Sequence, residues 1–189
     1  MNKNPYMDGP DCQARVVAIY KNRYVLGSAY GLIGAALKAS SYYCKGEDFP
    51  AVGDKVEFAY NASGESQILK TLPRKTLVRR VDPSSNGNFA QALAANVDNI
   101  FIVTSANRDF NLNKIQRYLT VAWDSGAAPY IVLSKSDLAG GAEDYCSRVK
   151  QIAGGTEVLP VSVLLGRGLE KIRQILSPRS VSVFLGSSG

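Results

Sequence analysis

Tyr130-Ile131-Val132-Leu133-Ser134-Lys135-Ser136-Asp137 is a short apolar run that opens into a polar loop. Its four apolar residues suit a strand over 130–133 rather than a helix. Upstream lies a second apolar run, 99–104. Between the two, Leu112, Ile115, Leu119 and Ala122 recur at helical spacing behind Asn111, a suitable N-cap. Downstream the pattern predicts a helix over 142–152 ending at Gly154-Gly155, a strand over 158–161, a short helix over 168–176 stopped by Pro178, and a strand over 181–185. Strands alternating with helices imply a parallel sheet covered by helices. Ligands of such sheets bind beyond the carboxyl ends of the strands, so the loops after Leu133, Val161 and Leu185 are the places to look for a function.

The first of these loops, Ser134-Lys135-Ser136-Asp137, resembles the Asn/Thr-Lys-x-Asp box by which GTPases select guanine. An aspartate carboxylate matches the paired donors of guanine, its ring N–H and exocyclic amine, where adenine presents an acceptor. Each such charge-assisted bond supplies about 1.5–3 kcal/mol. The stem of Lys135 is expected to cover the base, and Ser134 to tie neighbouring loops together, with a shorter side chain than the usual Asn or Thr. The second loop, Ser162-Val163-Leu164-Leu165-Gly166-Arg167-Gly168-Leu169, is similar to the Ser-Ala-x-x-Gly-x-Gly-Leu segment whose backbone N–H groups meet the guanine oxygen, with Val163 in place of alanine. The third, Gly186-Ser187-Ser188-Gly189, resembles the opening of a phosphate loop, G-x-x-x-x-G-K-[ST], whose N–H groups cradle phosphates. A flexible glycine-serine tail has the same composition.

Before residue 97 the pattern changes to short runs rich in Val, Ile and Tyr, separated by turns. Strands are expected over 14–20, 24–29, 34–38, 54–60 and 66–72. Five short strands in about 60 residues suit an OB-type barrel, a fold that commonly binds oligonucleotides; an SH3-like barrel fits the spacing almost as well. From 1 to 81 there are 12 Lys plus Arg against 7 Asp plus Glu, and from 82 to 189 there are 10 against 9. The basic excess therefore lies in the first part, as in a module that binds a polyanion. Arg74, Lys75, Arg79 and Arg80 fall within seven residues and are candidate RNA-binding cations, ahead of the turn-rich Asp82-Pro83-Ser84-Ser85-Asn86-Gly87-Asn88. The organisation read from these shifts is a disordered tail over 1–12, a barrel over 13–73, a linker over 74–96, and an α/β domain over 97–189.

Composition also excludes. No apolar run approaches the roughly 20 residues that span a bilayer, and residues 1–10 lack the apolar core of a secretory signal. The absence of histidine removes Ser-His-Asp and Cys-His catalysis. Cys12, Cys44 and Cys146 are far apart, with no C-x-x-C pair, so no metal site is expected, only free thiols in a reducing cytosol.

The order of the three loops discriminates most. In ordinary GTPases the phosphate loop comes first; here the guanine boxes precede it, which is the circularly permuted order. With the barrel, Leu72-Pro73-Arg74-Lys75, Ala94-Ala95-Asn96-Val97-Asp98, Val103-Thr104-Ser105-Ala106 and Asp109-Phe110-Asn111-Leu112-Asn113, the sequence resembles the ribosome-small-subunit-dependent GTPase A family, also called RsgA or YjeQ. The resemblance implies an OB-fold barrel joined to part of a circularly permuted GTPase domain. It implies GTP or GDP with Mg2+ as ligands, zinc only in a further C-terminal domain, and a monomeric cytoplasmic factor acting in maturation of the small ribosomal subunit and contacting its 16S rRNA. The phosphate-loop lysine and the magnesium-holding hydroxyl are not among these residues, so no catalytic residue is expected here. The chain is expected to be a truncated form that does not turn over GTP. A non-enzymatic RNA-binding barrel with an α/β docking domain is the alternative; titrating guanine nucleotides by calorimetry against filter binding of RNA separates the two. A dinucleotide-binding domain fits poorly, because no G-x-G-x-x-G follows the strand ending at Thr104.

Overall fold

A computed structural model describes residues 12–43, 48–81, 90–138 and 142–186. The tail at 1–11, Cys44, the turn at 82–88 and Ser187, Ser188 and Gly189 lie outside the described residues. The chain forms two compact units that meet in sequence at Asn96 and Val97.

The first unit contains strands β1 (Gln13–Tyr20), β2 (Arg23–Ser28), β3 (Gly31–Leu37), β4 (Lys55–Ala59) and β5 (Ser66–Thr71), with a single-turn helix α1 (Ala39–Tyr42) between β3 and β4. They close into a barrel in the order β1-β2-β3-β5-β4, with β3 and β5 parallel and β1 returning to β4 through Gln13↔Glu57 and Ala14↔Val56. Strand alternation sends Ala14, Val16, Tyr24, Leu26, Ala35, Val56, Phe58 and Ile68 inward, and Tyr42 of α1 joins this core. Burying one such large side chain is worth about 1.5–3 kcal/mol. The barrel is therefore OB-like, as its strand spacing suggests.

Residues 74–96, read as a linker, hold an antiparallel pair: β6 (Leu77–Val81) and β7 (Ala90–Ala95), in register from Leu77↔Ala95 to Val81↔Ala90. This corrects the sequence reading, which extended the turn chemistry at 82–88 to its flanks. The hairpin is docked on the barrel. The Ala95 N–H donates to the Val52 carbonyl at 2.8 Å, and Asn96 Nδ2 to the Gly53 carbonyl at 3.1 Å. A Cβ at Gly53 would stand 2.1 Å from the Ala95 oxygen, so only glycine allows this approach.

The second unit runs β8 (Asn99–Ser105), α2 (Leu112–Ser125), β9 (Ala128–Ser134), α3 (Ala142–Ile152), β10 (Glu157–Pro160), α4 (Leu169–Ile175) and β11 (Ser182–Gly186). The sheet is parallel throughout, in the order β10-β9-β8-β11. Ile100, Ile102, Ile131 and Leu133 are buried, with Ile115, Leu119 and Ala122 of α2, a helix that packs on β8 and β9. The alternate residues Phe101 and Val132, with Leu159 and Val161, meet Leu169, Ile172 and Ile175 of α4. Helices thus cover both faces, and the carboxyl ends of β8, β9 and β10 share one edge.

Candidate functional site

Each loop at that edge is held by a side chain of the polar boxes. Ser134 Oγ donates to the Thr104 carbonyl at 2.9 Å, which ties the end of β9 to the end of β8. The Ala106 N–H returns the link to the Ser134 carbonyl at 2.9 Å. Lys135 then adopts a left-handed φ of 58°, rare for a non-glycine residue, and its side chain is exposed. The reversal lets the Ser136 N–H reach the Val161 carbonyl at 3.0 Å, joining this loop to β10.

Asp137 is half-buried, and its Oδ1 accepts from Ser162 Oγ at 2.5 Å. Ser162 is fully buried and also accepts from the Leu165 N–H at 3.1 Å. Paired backbone bonds between Ser162 and Arg167 close the turn. At its base Gly168 has φ 76°, and a Cβ there would lie 2.2 Å from the Pro160 oxygen. Val163 and Leu164 stand out at the tip, 76% and 82% exposed. A carboxylate has about four lone-pair sites. One hydrogen bond from Ser162 therefore anchors one oxygen of the group and leaves capacity on both for a ligand with two adjacent donors.

The third loop begins at Gly186, the last residue of β11. Its carbonyl accepts from Tyr118 Oη at 3.3 Å, and a Cβ would come within 2.9 Å of the Val103 oxygen. The structure thus joins Asp137 to Ser162, ties Ser134 to the end of β8 instead, and sets Lys135 and Val163 on the adjoining turns.

The basic segment is divided. Arg74 is turned inward: its Nη2 donates to Asp54 Oδ2 at 2.8 Å and to the Phe49 carbonyl at 2.8 Å, and its Nε to Asp54 Oδ1 at 2.9 Å. The Arg74 side chain is 14% exposed and that of Asp54 not at all. The hydrogen bonds to Asp54 raise the guanidinium pKa above its ordinary value, against the opposing effect of burial. Arg74 is therefore a barrel staple, which corrects its reading as a phosphate contact. Lys75 and Arg79 are exposed, and Arg80 lies on β6.

Sequence reasoning missed the turn at Ser105 to Asp109. There Asn107 Oδ1 accepts from Ser105 Oγ at 2.7 Å and from the Asp109 N–H at 3.0 Å, shaping the loop after β8. An Asn with Asp two residues on is a turn signal that could have flagged it.

A β-barrel followed by a parallel sheet whose polar boxes precede its glycine loop defines a barrel-bearing, circularly permuted GTPase fold. The crystal structure of YjeQ from Thermotoga maritima shares it with a TM-score of 0.70 at 23% identity, over 94% of this chain and 60% of that one. The crystal structure of YloQ, a circularly permuted GTPase, gives a TM-score of 0.65 at 19% identity, over 94% of this chain and 60% of that one. The RsgA GTPase family model matches residues 71–189. The small ribosomal subunit biogenesis GTPase RsgA 1 of Listeria innocua is 42% identical over 176 residues, covering 93% of this chain and 49% of the relative. The chain belongs to the RsgA GTPase family. It spans about half the length of the curated relatives it matches. No helix among the described residues is long and apolar enough to cross a membrane.

Proposed function

We propose that this chain supplies guanine recognition, through Ser134, Lys135, Asp137, Ser162 and Val163, to a cytoplasmic, monomeric GTP-hydrolysing factor for late maturation of the small ribosomal subunit. The observation that carries the reading is Asp137, oriented by the buried hydroxyl of Ser162 where the ends of β9 and β10 meet. In the bound state its carboxylate accepts from the ring N–H and the exocyclic amine of guanine. Lys135 covers the base, and backbone N–H groups of the turn after Ser162 approach the base oxygen. Gly186 opens the phosphate cradle, which Ser187, Ser188 and Gly189 continue. In phosphoryl transfer a magnesium ion neutralises charge on the phosphates. Among the described residues no cluster of three His, Cys, Asp or Glu could hold a metal ion. The barrel contacts 16S rRNA through the phosphate backbone, with Lys75, Arg79 and Arg80 as the cations of the basic segment.

The test is calorimetry on a polypeptide extended through the whole phosphate loop. Asp137→Asn weakens GDP binding by about 10- to 100-fold, the loss of one or two charge-assisted bonds. It moves preference toward xanthosine diphosphate, whose 2-oxo group accepts from the new amide. Unchanged GDP affinity in the variant removes Asp137 from base reading.

A further inference from the structure

Tyr30, in the turn between β2 and β3, and Tyr60, just after β4, stack with ring centroids 4.0 Å apart and planes 7° from parallel. They remain 48% and 45% exposed. Single exposed tyrosines need no explanation; two loops converging to hold their rings stacked in parallel at the surface do. Both turns are pinned. Ser28 Oγ accepts from the Tyr30 N–H at 3.2 Å and donates to the Gly31 carbonyl at 3.1 Å, and Gly31 has φ 89°. After Tyr60, Ser66 Oγ accepts from the Asn61 N–H at 3.2 Å, and Asn61 Oδ1 accepts from the Ser63 N–H at 3.0 Å. Rigid turns lower the ordering cost of presenting the rings to a ligand.

The surroundings select the ligand. Leu32, next to the Tyr30 turn, is 65% exposed, and a Cβ at Gly34 would meet nothing within 4 Å, so an open apolar strip runs along β3. Arg23, with an 82% exposed side chain, reaches Glu65 of the Tyr60 turn at 3.7 Å. A protein-binding patch is depleted of charge at its core. Exposed aromatic faces on a segment that carries 12 Lys plus Arg against 7 Asp plus Glu over residues 1–81 instead suit single-stranded nucleic acid, whose bases stack while its phosphates take the cations.

We propose that Tyr30 and Tyr60 form a stacking platform for an unpaired base of single-stranded RNA. The proposal rests on the reading of the barrel as an RNA-binding module and adds the site and the mode. Fluorescence anisotropy of the 189-residue protein with a labelled single-stranded oligoribonucleotide of about 12 nucleotides tests it. Tyr30→Ala and Tyr60→Ala each weaken binding about tenfold, while the Phe variants stay near wild type. The slope of log affinity against log salt is unchanged in the Ala variants, whereas Arg79→Ala lowers it by about one. Tyr60→Leu keeps apolar cover without a ring and binds like the Ala variant. Photocrosslinking of RNA bearing 5-iodouridine to the wild-type protein, which needs no variant to fold, gives adducts at Tyr30 or Tyr60. Adducts confined elsewhere, or Ala variants that bind as the wild type does, overturn the platform and leave the RNA-binding reading standing. A wild type that binds no RNA at low salt overturns both.

Discussion

Ser162 shows how much one buried hydroxyl can organise. It donates to Asp137 and accepts from Leu165, so Ser162→Ala leaves a carboxylate without its orienting donor and an N–H without its acceptor. Leaving such groups unpaired costs about 1–3 kcal/mol. The expected outcome is a loss of about that size in urea unfolding, with guanine affinity down about tenfold as the carboxylate loses its anchor. Loss of stability without loss of affinity would mean that the turn, not Asp137, is what Ser162 serves. Arg74 makes the opposite point. A charge read as outward-facing pairs with Asp54, a residue 20 positions back that has no exposed side-chain surface. Removing one partner of a buried pair costs about 3–5 kcal/mol, so Arg74→Ala should destabilise the barrel by about 3 kcal/mol in denaturant melts. A change under about 1 kcal/mol would show that Asp54 is readily solvated. Neither bond was legible in the sequence. Local pattern marks Asp137 and Ser162 as loop residues in the right order and cannot say that they touch.

Elements were more legible than contacts, because periodicity is a local property. The apolar spacing behind Asn111 predicts a helix, and α2 begins at Leu112 with Asn111 Oδ1 accepting from the Lys114 N–H at 3.1 Å. Asn111→Ala removes that cap, worth about 1 kcal/mol. The transition of the second unit should fall by about 5 °C in a thermal scan; a shift below about 1 °C would show that water replaces the cap. The barrel strands were legible for the same reason, since Val16, Val56 and Ile68 alternate with half-buried or exposed neighbours. The pair β6 and β7 was not. In β6 the exposed Arg79 sits beside the buried Val78, and the partner strand Ala90–Ala95 is rich in alanine, a weak strand former. What makes these residues a ribbon is docking on Val52 and Gly53, which no local signal announces.

For the whole molecule, the two units carry different parts of the proposed activity. The proposed base-reading groups Asp137 and Ser162 belong to the second unit, and the exposed cations Lys75 and Arg79 to the first. In the polypeptide extended through the phosphate loop, Asp137→Asn is therefore expected to weaken GDP binding and leave RNA affinity unchanged, while Arg79→Ala weakens RNA binding alone, as read by calorimetry and by filter binding. A variant in one unit that altered both affinities would overturn this division of labour.

The pairing of β11 with β8 also sets a timetable for synthesis. Asn99 opens the sheet, yet its partner Ser182 lies 83 residues later. A ribosome adding about 5–20 residues per second takes roughly 4–17 seconds to cover that distance. The barrel and its hairpin, complete at Asn96, can fold in that interval. The nascent sheet meanwhile holds β8 with one free flank, a template for pairing with any neighbouring chain. Translation rate and holdase chaperones are thus expected to govern the yield of the second unit and not the first, and limited proteolysis of ribosome-stalled chains of increasing length measures the difference.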